Sequence, residues 1–182
     1  MRNKAVDART YTFSSADSVL ADANILLYLH GPAATSSSTF APVYSGVYSR
    51  LTASGAQLFL DVLVLSEFIN RFARLEMKRL QPGQTDFKAF RKSGDYQAVA
   101  RTIESQVGIV MMDCKPLDHP FSEWSHADLL NDFGSGSTDW NDQLLVENCR
   151  KHKLTLLTND GDFTDGGISV LTANPRLIAA CP

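Results

Sequence analysis

Acidic side chains that close apolar runs are the residues of this chain with most chemical potential. Asp22 follows Val19-Leu20-Ala21, Glu67 comes soon after Leu58-Phe59-Leu60, Asp139 and Asp142 open the segment DWNDQLLVENCRKHK, and Asp160 and Asp162 follow Leu154-Thr155-Leu156-Leu157. Singly, each acid has an ordinary role. Asp22 suits a helix N-cap, as does Asp139, with Thr138 as its competitor. Glu67 can pair with Arg71 at i, i+4, and Asp160 and Asp162 suit a turn around Gly161. Jointly they imply more, because clustered carboxylates raise one another's pKa unless a cation neutralises them. Ligation by oxygen and water suits Mg²⁺ or Mn²⁺. Such a centre polarises a phosphodiester, lowers the pKa of a bound water and, with two ions, steadies the attacking and leaving oxygens, so the predicted chemistry is phosphodiester hydrolysis.

The acids come together only if the elements carrying them are parallel strands. Residues 1 to 16 read as a polar lead-in, Val19–Ala21 as a first strand, and Asn24 to Leu29 as a helix interrupted by Gly31-Pro32. Residues 33 to 39 read as a loop, and Pro42 is placed to open a helix with Val43, Tyr44, Val47, Tyr48 and Leu51, stopped by Gly55. Leu58-Phe59-Leu60 is a second strand. From 62 to 80 the recurrence of Leu65, Phe68, Ile69, Phe72 and Leu75 marks one helical face, with Glu67, Asn70, Arg71 and Arg74 on the other. A helix is expected over about 95 to 107, closed by Gly108, and a third strand at Ile109-Val110-Met111-Met112. A short helix around 121 to 131, a loop over 134 to 138, a helix carrying Leu144, Leu145 and Cys149, and strands at 154–157 and 168–171 complete the chain. Alternating strands and helices predict a single-domain, three-layer α/β/α fold with a mainly parallel central sheet, whose ligands bind at the carboxyl ends of the strands.

The composition excludes several alternatives. With 182 residues the chain builds one core, and 17 Lys and Arg against 20 Asp and Glu exclude a basic protein that coats nucleic acid wholesale. No apolar run is long enough to span a bilayer, so no membrane is expected. The N-terminal stretch has no apolar signal core, and the expected location is cytoplasmic. The 3 Cys and 4 His are widely scattered, which gives neither a disulfide framework nor a zinc site.

Charge is unevenly spread. Residues 71–101 hold eight basic residues, among them Arg71, Arg74, Lys78 and Arg79, against three acidic ones. Residues 102–182 hold five basic and twelve acidic residues. An acidic centre beside a basic arm can position a polyanion through its backbone, which makes these four cations the expected contacts to such a polyanion, RNA or another. The alternative is a solvated helix face whose long cationic stems cover apolar surface.

The pattern resembles the PIN domain, the nuclease fold of VapC-type toxins and related ribonucleases. The resemblance rests on Val19-Leu20-Ala21-Asp22-Ala23-Asn24, Leu65-Ser66-Glu67-Phe68, Asn141-Asp142-Gln143-Leu144-Leu145 and Thr158-Asn159-Asp160-Gly161-Asp162-Phe163, in the family's order. It implies that Asp22, Glu67, Asp142 and Asp160 bind one or two Mg²⁺ or Mn²⁺ ions for endoribonucleolytic cleavage. Asn24 and Thr158 then support the site through hydrogen bonds, and Asp162 assists or orients. Asp139, on the same helical side as Asp142, replaces or supplements it, with Asp142 ranked higher. The resemblance also implies a homodimer and a cognate antitoxin protein. The domain division is a 1–17 extension followed by a PIN-like domain over 18–182, with an added segment at about 78–108. Gln143 departs from the small residue usual at that place, and tighter packing of its helix on the sheet is the expected result.

Two other functions compete with the ribonuclease. The first is a catalytically inactive PIN-like module that binds RNA or protein, suggested by the chain's length and by Gln143. The second is a phosphotransfer enzyme with a nucleophilic Asp, which needs a well-placed Lys, and the chain has none after Leu157.

Overall fold

A computed structural model describes residues 1–32, 38–136 and 139–182. Six strands form one all-parallel sheet: β1 (Lys4–Asp7), β2 (Ser18–Ala21), β3 (Gln57–Asp61), β4 (Lys115–Leu117), β5 (Thr155–Leu157) and β6 (Ser169–Thr172), in the spatial order β1-β6-β5-β2-β3-β4. Among the described residues the helices are α1 (Ala23–His30), α2 (Ala41–Ala53), α3 (Val62–Leu80), α4 (Phe87–Arg91), α5 (Gly94–Asp113), α6 (His126–Gly134), α7 (Trp140–His152) and α8 (Pro175–Ala180). They cover the sheet in a three-layer α/β/α arrangement. Helices α1, α2, α3 and α5 pack together, while α6 pairs with α7 and α8 docks on β1.

The central strands are apolar because parallel strands are covered on both faces. Val19, Leu20, Leu156, Leu157, Val170 and Leu171 are buried accordingly. Pairing of Leu20 with Phe59 and of Ala21 with Leu157 aligns the carboxyl ends of β2, β3 and β5. The chain leaves β2 for β3 on one side and later fills the other side with β5 and β6. The crevice between β2 and β5 is therefore the topological switch point, the usual place for a ligand in an open parallel sheet.

Three expectations are corrected. The lead-in is not a free extension, because Lys4–Asp7 pairs with β6 as an edge strand, and the Asn3 side chain is tied to the Phe163 carbonyl at 3.0 Å and the Ile168 amide at 3.0 Å. A half-exposed edge strand needs few apolar residues, which is why this one read as polar. The stretch 109–112 is the last turn of α5 rather than a strand. Val99, Ile103 and Val110 form its buried stripe, whereas Met111 and Met112 are 50% and 79% exposed, which a covered strand would not allow. The strand itself is Lys115–Leu117, where Pro116 is tolerated because β4 ends the sheet. The expected 121–131 helix is a 3₁₀ turn at Phe121–Glu123 followed by α6.

The segment 78–108 comprises the end of α3, α4 and most of α5, packed together through buried Phe90, Val99 and Ile103. Of the loops expected at 33–39 and 134–138, residues 33–37 and 137–138 lie outside the described residues, Thr138 among them. Among the described residues no helix is long and apolar enough to cross a membrane.

Candidate active site

Asp22 ends β2 and caps α1. Its backbone N–H donates to the Leu157 carbonyl at 2.9 Å, continuing the ladder with β5, while one carboxylate oxygen accepts from the Ala23 amide at 2.5 Å. The other oxygen accepts from the Thr158 hydroxyl at 2.6 Å and from the Asn24 amide. Capping and site-building are thus two uses of one side chain, and neither excludes the other.

Thr158 is fully buried just past β5. Its Oγ1 also accepts from Asn24 Nδ2 at 3.1 Å and from the Asp160 amide at 3.0 Å, which ties the loop after β5 to Asn24. Asp160 Oδ1 in turn accepts from the Asp162 amide at 3.0 Å, and Asp162 itself is exposed. Asn24, Thr158, Asp160 and Asp162 therefore make one hydrogen-bonded chain ending on Asp22.

The other acids approach from helices. Asp139 caps α7, its Oδ1 accepting from the Asn141 amide at 2.9 Å, and Asp142 follows in the first turn. Burial raises the Asp142 carboxyl to about 7, and the charges of Asp22, Asp139, Asp160 and Glu67 all add to that rise. Burial likewise raises Asp22 to about 6. The Thr158 hydrogen bond opposes this shift, while Glu67 and Asp160 reinforce it. Mutual repulsion thus links four elements that are distant in sequence. Glu67 is partly engaged, holding Arg71 at 2.9 Å across one turn of α3.

By its chemistry the donor set suits a hard divalent cation. It consists of carboxylate oxygens, and Asp22 and Asp142 are raised by burial and by neighbouring carboxylates, a cost that a cation would remove. Among the described residues, however, no three His, Cys, Asp or Glu side chains stand close enough to hold one ion together. The acids share an electrostatic neighbourhood without forming a closed cage. Asp22, Glu67, Asp142 or Asp160 would hold the ion, with Asp139, one of whose oxygens caps α7, beside Asp142.

The expected RNA contacts divide. Arg71 is paired with Glu67 and Arg79 with the buried Glu76 at 2.7 Å, whereas Arg74 lies over the Phe87 ring at 4.6 Å and Lys78 is exposed.

Several residues escaped the sequence reading. Asp61 ends β3 as Asp22 ends β2, fully buried, yet its oxygens are taken by the Leu63 amide at 2.7 Å, by His119 Nδ1 at 2.9 Å and by the Asn148 amide. Its surroundings make it a structural cap. The repetition of an apolar run ending in Asp was the signal that marked it. Tyr44 is buried, and its hydroxyl contacts Asn159 Oδ1 at 2.9 Å and accepts from the Ala173 amide at 2.9 Å. Asn159 donates its amide N–H to Asn24 Oδ1 at 3.1 Å. These residues pin the loop after β5, and no spacing rule pointed to them. Gln143 is buried, but it reaches sideways to α6, donating to the Leu129 carbonyl at 3.1 Å, instead of tightening α7 on the sheet.

No family model and no curated protein matches this chain. Among solved structures it is similar to the crystal structure of PAE2754 from Pyrobaculum aerophilum, with 14% identity and a TM-score of 0.48 over 92% of this chain and 98% of that one.

Proposed function

We propose that this chain is a Mg²⁺- or Mn²⁺-dependent endoribonuclease of the PIN type. The observation carrying this reading is the coupling of Asp142 on α7 to Asp22, Asp160 and Glu67, three carboxylates from three other elements, at the switch point of a parallel sheet. When bound, the ion supplies a polarised phosphodiester and an activated water.

The chain's own residues do the rest. Thr158 and Asn24 hold the Asp22 carboxylate in one orientation by hydrogen bonding to it. The turn at Asp160 holds a second acid near enough for its charge to raise Asp22, and Asp142 is able to carry a proton near neutral pH. RNA as substrate, a homodimer and a toxin paired with an antitoxin follow from the PIN resemblance and belong to the same proposal.

The decisive experiment is RNA cleavage by Asp22→Asn and Asp142→Asn in Mg²⁺ or Mn²⁺. Loss of cleavage by folded variants supports the proposal, and parental rates in both overturn it.

One observation favours a second reading. Because no three described acids are close enough to share an ion, a PIN-like interaction module without catalysis is the alternative. Thermal melting separates the two, since an ion that binds only the folded chain raises its melting temperature. A melting temperature indifferent to Mn²⁺ favours the module.

A further inference from the structure

Beside Asn24, a pocket of about 400 Å³ opens between α1 and α3, lined also by Leu27, Tyr28, Arg71, Arg74, Leu75 and Lys78. Its lining contains three cations and no carboxylate. Among the described residues, Arg74 and Lys78 have no acidic partner, while Arg71 is held by Glu67. Arg74 is steadied by the Phe87 ring beneath it, so its guanidinium is placed without being neutralised.

The rest of the wall is of a different kind. Leu27 and Leu75 are apolar, and the Tyr28 ring is stacked on Tyr44 with centroids 5.5 Å apart and planes 4° apart, which fixes its plane. A rigid aromatic and two leucines beside two unpaired cations suit a ligand with a flat apolar part and an anionic part. The volume is at the small end of the range for small-molecule sites, which suits one nucleotide and is far too small for a duplex. Asn24 is the shared wall. It lines this pocket, and its side chain bonds to Asp22 and Thr158, so one residue separates an occupant here from Asp22.

We propose that this pocket is a subsite for the nucleotide next to the cleaved bond of a single RNA strand, with Arg74 and Lys78 on its phosphate and Tyr28, Leu27 and Leu75 against its base. The assignment of RNA rests on the ribonuclease reading. The subsite reads no sequence, since its contacts are a phosphate and a base face, and every base has a π-face.

The test is fluorescence anisotropy of a short, labelled single-stranded RNA with the full chain in EDTA, beside cleavage of the same RNA in Mn²⁺. The Arg74→Gln, Lys78→Gln double variant is expected to bind about tenfold or more weakly, with the salt dependence of log K reduced by roughly 0.7 for each phosphate no longer neutralised. Arg101→Gln removes an exposed cation of the same basic stretch outside the pocket and should change affinity by no more than about twofold. Circular dichroism checks that each variant is folded. If the parent cleaves RNA but the double variant binds like the parent, the subsite is wrong and the nuclease stands. If the parent binds RNA without cleaving it and the double variant loses binding, the pocket binds RNA, but the nuclease and with it the place beside a cleaved bond both fall. If the parent neither binds nor cleaves, both are wrong.

Discussion

The Thr158 hydroxyl donates a 2.6 Å hydrogen bond to the carboxylate of Asp22, joining residues 136 positions apart across the carboxyl ends of two neighbouring strands. It is the largest influence favouring the Asp22 charge, set against burial and two carboxylates. Thr158→Val removes the donor, so the Asp22 pKa moves further above about 6. The acid limb of Mn²⁺ binding and cleavage then shifts to higher pH, while the maximum at high pH changes less. A titration of Mn²⁺-induced stabilisation against pH checks this, and an unmoved acid limb contradicts it.

Without metal, the acids make stability fall as pH rises. In the folded chain Asp22 and Asp142 hold their protons to about 6 and about 7, against 3.8 for the ordinary side chain. Across that window the native state binds more protons than the unfolded one, so unfolding becomes easier with rising pH and levels off above it. Each group contributes at most about 1.4 kcal/mol per pH unit. Urea titrations from acid to neutral pH in EDTA should show this fall superimposed on the other titrating groups, and saturating Mn²⁺ should reduce it.

Asp142→Asn should therefore separate stability from activity. Removing a charge that burial and four neighbours disfavour raises the stability of the metal-free chain at pH 8. After solvent screening the gain is on the order of 1 kcal/mol, or roughly 2–4 °C in Tm for a chain of this size. Cleavage should be lost in the same variant. Calorimetry in EDTA measures the first effect, and a drop in Tm would count against the proposed repulsion.

Asp61 behaves in the opposite way. It is fully buried, and removing it leaves the Leu63 amide, His119 and Asn148 without their partner. Asp61→Ala should cost about 3 kcal/mol or more, whereas Asp61→Asn keeps the cap and costs less. The protein that does fold should cleave RNA at the parental rate per folded molecule. Denaturation midpoints and active-fraction kinetics together check it, and a selective loss of rate would move Asp61 into the catalytic set.

Gln143→Ala is expected to be mild. It loses one hydrogen bond to Leu129 but also removes Oε1, a buried oxygen without a partner among the described residues, so the two effects offset and the net change stays below about 1.5 kcal/mol. The loss should be local, appearing as faster amide exchange in α6, and a global collapse of stability would contradict it.

Much of this molecule was legible in one dimension. Apolar runs ending in Asp marked β2 and β5 with their following turns, and the three- and four-residue recurrence from Leu65 to Leu75 outlined α3 over its observed span, Val62–Leu80. Local pattern carries such information because burial on a helix face or in a covered strand acts on neighbouring residues. It failed where burial is partial or shared. β1 is an edge strand with little apolar content, and the apolar run 109–112 is only partly covered, with Val110 buried and Met111 and Met112 exposed. What only tertiary structure decided is which acids meet. Asp22 and Asp61 have the same local setting, a strand end leading into a helix cap, yet Asn148 and His119 claim Asp61, while Asp22 is left within reach of Glu67, Asp142 and Asp160. That difference comes from strand order and from contacts over scores of residues, and both electrostatic repulsion and hydrogen bonding depend on distances in space, which no spacing along the chain encodes.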